Sequence, residues 1–129
     1  MNTLPMLIAV AAGGAVGALA RYATIAPLAP VSGRFFYAAT LLINVVGSLA
    51  LGLLYGAAQQ KGAPLWLGAW LTGLLGVGAL GAFTTFSTFA VEVVRLLHSN
   101  RVTEAVCYVL FSTGLAIAAA ALGYRLTLR

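Results

Sequence analysis

The sequence predicts an all-α membrane protein, with four transmembrane helices per subunit in a single domain over residues 1–129 and the third helix broken at mid-membrane depth. Three observations predict it. The chain is 62% hydrophobic and only 7% charged, where ordinary soluble domains are roughly 25% charged. Mean hydropathy is +1.04, and the apolar residues gather into four runs that reach the about 20 residues a helix needs to cross a bilayer core. No run alternates apolar and polar residues, which argues against a β-barrel.

The first run is Leu4–Pro27. Its Ala18-Leu19-Ala20 resembles a signal-peptide cleavage site, but Met1–Leu7 carries no Lys or Arg, so the run reads as a retained helix. Pro27, Pro30, Ser32 and Gly33 turn the chain into the second run, Phe36–Ala58, and Gln59, Gln60, Lys61, Gly62 and Pro64 mark the next turn. The third run, Leu65–Leu97, is longer than the about 20 residues one crossing needs. It holds Gly73, Gly76, Gly78 and Gly81, and a break near Gly78–Thr84 is expected. Glycines lower the cost of leaving helical geometry, and Thr84 is suited to cap a restarting helix. Broken backbone at membrane depth is tolerated only where its polar groups are buried in protein or line a cavity. His98, Ser99 and Asn100 lead into the fourth run, Val102–Leu126.

Small residues recur at four-residue spacing: Gly13 with Gly17, Gly14 with Ala18, then Ser48, Gly52 and Gly56. That spacing lets helix backbones approach closely and is read as packing. The single Cys107 lies in an apolar run and has no second thiol for a disulfide or metal site.

The net charge of +5 comes from seven basic residues scattered over loops and helix ends. Such scatter does not suit nucleic acid, whereas membrane lipid phosphates account for it. With four helices, Lys61, Arg125 and Arg129 share one face, and Arg34, Arg95 and Arg101 share the other, with Arg21 near the end of the first helix. The balance leaves almost no orientation signal. A chain of this kind can insert both ways, and opposed copies can pair about a two-fold axis in the membrane plane as an antiparallel homodimer.

Polar side chains inside hydrocarbon are costly and are functional candidates by default. Here they are Arg21, Asn44, the cluster Thr84, Thr85, Ser87 and Thr88, then Tyr108, Ser112 and Thr113. The only carboxylates, Glu92 and Glu104, fall near the ends of the third and fourth runs, and His98 sits in a loop, which argues against a proton-driven exporter. The set is rich in donors, which suits a small anion that must shed water and still move on. Tyr108 and Ser112, four apart, share a helix face, as do Phe86 and Phe89, three apart. An aromatic ring edge carries partial positive charge and can replace part of an anion's hydration. No nucleophile, base and orienting group converge, so an enzyme is not expected. A small dual-topology multidrug exporter of organic cations shares the size, the four spans and the charge balance, but it needs a carboxylate in the first helix, and Met1–Tyr22 has none.

Three motifs then carry a family resemblance across nearly the whole chain. Gly13–Tyr22 is similar to GGxxGAxxRY, Asn44–Ser48 contains N-x-x-G, and Gly81–Phe89 is similar to GxxTTFSTF, the most specific of the three. In this order and in a four-span chain, they resemble the Fluc (CrcB) family of fluoride channels. The resemblance implies an antiparallel, dual-topology homodimer in the bacterial inner membrane, with two narrow pores that export fluoride passively down its electrochemical gradient. It implies that Phe86 and Phe89 face fluoride and that Asn44 donates to it. Tyr108, Ser112, Thr85, Ser87 and Thr88 would extend a polar track, and Arg21 would make a vestibule electropositive. It further implies a structural sodium ion at the two-fold axis, held by the backbone carbonyls of Gly81 and Thr84 from each subunit. Phe83 departs from the smaller aliphatic residue expected at its position.

Overall fold

The structure is a computed structural model that describes residues 3–32, 36–59 and 65–128. Arg34, Lys61 and Arg129, which enter the orientation count, lie outside the described residues, as do the turn residues Gly33, Gln60, Gly62 and Pro64.

Four helices are long and apolar enough to cross a membrane: Thr3–Leu28, Ala38–Ala58, Gly68–His98 and Val102–Thr127. They coincide with the four predicted runs, and no strand occurs among the described residues. Helix α1 (Thr3–Ser32) continues through Pro27, beyond the expected end of the first run. Pro27 withdraws its own bond to the carbonyl four residues earlier and crowds that carbonyl with its ring, so the helix passes through it with one bond fewer. Helix α2 is Ala38–Ala58. The third run is composite, made of α3 (Leu65–Leu71), a π-helical stretch Thr72–Leu80, α4 (Gly81–Phe83) and α5 (Phe86–His98). Helix α6 is Val102–Thr127.

Between α4 and α5 the backbone is extended, with φ −77° and ψ 160° at Thr84 and φ −152° and ψ 119° at Thr85. Two details of the sequence expectation are corrected here. Gly78 does not open the helix, since it is buried inside the π-helical stretch. The cap of the restarting helix is Thr85 rather than Thr84: Thr85 Oγ1 accepts from the Thr88 N–H at 3.2 Å. Thr84 Oγ1 instead turns back along its own helix, donating to Leu80 O at 3.1 Å and Gly81 O at 3.4 Å.

Two helix pairings dominate, α2 along α6 and α1 along the π-helical stretch. Both rest on glycines at backbone contact. A Cβ at Gly52 would strike Ala120 O, one at Gly123 would strike Leu49 O, and one at Gly17 would strike Ala79 O. Thr127 Oγ1 adds a bond from α6 to Leu53 O at 3.0 Å. Gly14, by contrast, meets nothing within 4 Å, so only one of the two small-residue rows of α1 is used inside the subunit.

Helix α5 ends in a left-handed turn. Asn100 has φ 57°, its N–H reaches Leu97 O at 3.0 Å, and the Arg101 N–H reaches Leu96 O at 2.9 Å. These are the paired bonds of a Schellman motif, which Asn tolerates better than most residues. The turn sets α6 against α5 and creates a core of Leu96, Ala105 and Tyr108, covered by Phe36, Tyr37, Leu41, Phe89 and Val93. Elsewhere the large apolar side chains, among them Leu4, Leu7, Ile8, Val16 and Leu19 on α1, face outward.

Candidate functional site

The extended residue Thr85 has a backbone N–H that no helix satisfies, since as the N-cap of α5 only its C=O takes part in the helix, and a buried N–H without a partner is costly. Asn44 on α2 answers it and adds a second bond at the carbonyl. Its Oδ1 accepts from Thr85 N at 2.8 Å and its Nδ2 donates to Thr85 O at 3.0 Å. This two-point clamp explains why the chain is extended at Thr85. The remaining hydroxyls of the cluster fold inward: Thr85 Oγ1 donates to Thr88 Oγ1 at 3.1 Å and lies 3.2 Å from Ser87 Oγ.

Beside the clamp is a cavity of about 300 Å³, lined by Asn44, Ser48, Thr84, Thr85, Phe86, Phe89, Ser112 and Thr113 with apolar neighbours from α2 and α6. Five of the expected pore residues thus come together: Asn44, Thr85, Phe86, Phe89 and Ser112. The Phe86 and Phe89 ring centroids are 5.6 Å apart. Phe89 is half-buried in the subunit, while Phe86 is 79% exposed. Ser87 and Thr88 do not line this cavity. Tyr108 lines a second cavity of about 540 Å³ together with Tyr37, Leu41, Glu104, Cys107 and Phe111. Phe89 joins the two, because its ring meets Tyr108 edge-on at 5.1 Å, and Tyr108 in turn lies 4.7 Å from Tyr37.

Two residues of this region escaped the sequence reading. Glu92 was expected near the end of a run, but α5 starts only at Phe86, so Glu92 lies at its middle and is 6% exposed. Its carboxyl is held from two helices: Thr40 Oγ1 donates to Oε1 at 2.9 Å and Tyr108 Oη donates to Oε2 at 2.8 Å. The signal for Thr40 was present in the sequence, since Thr40, Asn44 and Ser48 repeat every four residues and so share one face of α2. Glu104 does lie near a helix end, as expected. It receives Tyr37 Oη at 3.4 Å and Arg101 Nε at 3.0 Å. The hydrogen bond from Arg101 to Glu104 holds the guanidinium above its ordinary pKa. Arg95 stacks over the Phe36 ring at 4.3 Å.

Arg21 is not at either cavity wall. Its Nη1 donates to Thr84 O at 3.3 Å and ties α1 to the interruption. The carbonyls of Gly81 and Thr84 suit a hard cation, which takes oxygen donors. The Thr85 N–H that a continuing helix would direct to Gly81 O goes to Asn44 instead. Thr84 O, with Arg21 on one side, keeps a second lone pair.

Four apolar helices around donor-bearing cavities at an interrupted segment define a multi-pass membrane protein. The family described as CrcB-like protein, Camphor Resistance (CrcB), matches residues 8–124, and the chain belongs to that family. It is similar to a Rhodococcus jostii protein named fluoride-specific ion channel FluC 2, with 46% identity over 121 residues covering 94% of this chain and 97% of the relative. It is also similar to proteins named fluoride-specific ion channel FluC from Idiomarina loihiensis (44% identity; 92% of this chain, 88% of the relative) and Pseudomonas putida (43%; 81% and 82%). The organic-cation exporter reading finds no support in these relatives.

Proposed function

We propose that the protein is a fluoride-selective channel, passing F⁻ down its electrochemical gradient out of the bacterial cytoplasm across the inner membrane. The observation that carries the proposal is the first cavity, which the Asn44 amide and the Ser112 hydroxyl line together with the Phe86 and Phe89 rings. A strongly hydrated anion enters such a space only if donors replace its water, and amide, hydroxyl and aromatic edge do so without a fixed cation that would trap it. Asn44 serves twice, since the amide that braces Thr85 carries a second N–H to offer an anion. From Phe89 the path continues to Tyr108, where Thr40 and Tyr108 already donate to Glu92, so an anion there competes with the carboxyl for those hydroxyls. Ser87 and Thr88 support the path through Thr85 rather than at its wall.

The active form is an antiparallel, dual-topology homodimer with two pores. The exposure of Phe86 beside a cavity supports it, because an opposed second copy would cover the ring and close the wall. In that dimer the third span is broken at mid-membrane depth, and the carbonyls of Gly81 and Thr84 from each copy hold a structural Na⁺ that adds positive charge near the anion route. Arg21, bonded to Thr84 O, supplies a fixed positive charge on the same side of the interruption. Such a leak serves cells in acidic surroundings, where hydrogen fluoride enters, dissociates and leaves its anion inside.

The proposal is tested in bacteria made fluoride-sensitive by loss of their own exporter. Expression of the chain is expected to restore growth at inhibitory fluoride, and membrane-inserted protein that restores none contradicts the proposal.

A further inference from the structure

An anion route must open to water at both ends, and Tyr108 lies toward only one of them. Helices α2 and α6 run side by side in the same direction, so that Tyr37 meets Tyr108, Gly52 meets Ala120 and Gly56 meets Tyr124. The Tyr108 cavity lies at the start of this seam and the Asn44 cavity follows it. Beyond them is a groove of about 470 Å³, lined by Leu51 and Tyr55 of α2 and by Ile117, Ala121 and Tyr124 of α6. Leu51 and Ile117 line both the Asn44 cavity and the groove, so they stand where one gives way to the other. From Thr103 at the first of these spaces to Tyr124 at the last, α6 rises about 30 Å, the thickness of a bilayer's hydrocarbon core.

The far end of the groove has the residues of a membrane–water boundary. Tyrosines gather at that boundary, as Tyr55 and Tyr124 do here, and arginines near a helix end reach it. Arg125, exposed in the last turn of α6, shares a face with Ile117 and stands one turn beyond Ala121. At about 30 Å³ per water the groove holds on the order of fifteen molecules, enough for fluoride to keep its shell there. Its largely apolar wall then offers little to detain the ion. Water has to be shed only past Leu51 and Ile117, where the Asn44 amide and the Ser112 hydroxyl begin. Tyr55 is 41% exposed and Ile117 64%, so the second copy that covers Phe86 has to roof the groove as well.

We propose that this groove is the second mouth of the fluoride route, and that Leu51 and Ile117 form the apolar neck at which the ion exchanges water for protein donors. This rests on the channel reading above. An apolar neck passes ions only while it is wet. Bulk placed in the groove therefore stops conduction without touching the donors of the Asn44 cavity.

The test places a probe at Ala121, which lines the groove and neither cavity. Fluoride efflux is measured from liposomes carrying wild type, Ala121→Trp or Leu122→Trp. Leu122 is next along α6, exposed, and lines none of the three spaces. Ala121→Trp is expected to slow efflux at least about tenfold, and Leu122→Trp less than about twofold. In a second arm, vesicles carrying wild type, Ala121→Cys or Leu122→Cys are treated with a negatively charged, membrane-impermeant methanethiosulfonate present on both sides. Mass spectrometry then counts the adducts, with Cys107 of the wild type as background. Ala121→Cys should carry one adduct more than wild type, because water fills the groove, and Leu122→Cys none. Equal rates for the two tryptophan variants overturn the proposal. So does the lack of an extra adduct at Ala121→Cys, which means that an acyl chain or dry packing fills the groove. If Ala121→Trp does not fold, the adduct count decides alone. Wild-type vesicles that release no fluoride overturn the channel reading itself, and this proposal with it.

Discussion

Replacing Asn44 by alanine severs both bonds to the Thr85 backbone, at 2.8 and 3.0 Å. Interhelical hydrogen bonds in membrane bundles contribute on average about 0.6 kcal/mol each, because the severed groups find other partners. The Thr85 N–H has little freedom to do so: the residue is 7% exposed, and its extended backbone cannot turn that N–H back to Gly81 O without dissolving the cap that starts α5, whereas its carbonyl keeps the first bond of α5. The higher cost of leaving a buried polar group unsatisfied, about 1–3 kcal/mol, therefore applies to that N–H. Adding about 0.6 kcal/mol for the ordinary interhelical bond at the carbonyl, Asn44→Ala should lose about 1.5–3.5 kcal/mol in all. The assay is reversible unfolding in mixed detergent and dodecyl sulfate micelles, followed by far-ultraviolet circular dichroism. Ser48→Ala, one turn along the same cavity wall, serves as control and should stay within about 0.5 kcal/mol of wild type. If Asn44→Ala loses no more than Ser48→Ala, the clamp does not hold the interruption open and the derivation of the site from it is wrong.

Three further outcomes follow from the same contacts. Thr40→Val and Tyr108→Phe each remove one donor from the Glu92 carboxyl and should each cost about 1–3 kcal/mol. A double-variant cycle should show coupling above about 0.5 kcal/mol, and strict additivity would separate the two residues. Thr85→Ala should cost about 1 kcal/mol through loss of the cap. Thr84→Ala should change stability by less than about 0.5 kcal/mol, because its hydroxyl only bonds back within its own turn, and the reverse order would restore Thr84 as the cap. Gly52→Ala drives a methyl into the Ala120 carbonyl and should cost about 1–3 kcal/mol or more, whereas Gly114→Ala enters open space and should be neutral or gain up to about 1 kcal/mol.

The four spans are legible because hydrocarbon imposes a simple rule on sequence, about 20 apolar residues per crossing. The glycine rows are legible for a similar reason, as close backbone approach requires the absence of a side chain, and Gly17 and Gly52 meet carbonyls directly. Much of the cavity wall was readable too, because polar residues in an apolar chain are few. The misses have a common cause: each depends on a partner distant in sequence. Whether Thr84 or Thr85 caps α5 is decided by Asn44, 41 residues from Thr85. Glu92 reads as a terminal residue only while the third run is counted as one helix. Once α5 begins at Phe86, the same residue falls opposite Thr40 and Tyr108. The stripe Thr40, Asn44, Ser48 was visible on its own helix, but its meaning came from what α5 and α6 place against it.

The central claim is that this chain conducts fluoride and discriminates against the larger halide. The most direct measurement is ion release from liposomes carrying the purified protein, read with a fluoride electrode, with valinomycin supplying potassium permeability and a chloride-loaded sample run in parallel. Rapid fluoride release with negligible chloride release is the predicted result. Folded, verified protein that releases no fluoride, or that releases chloride equally fast, contradicts the account.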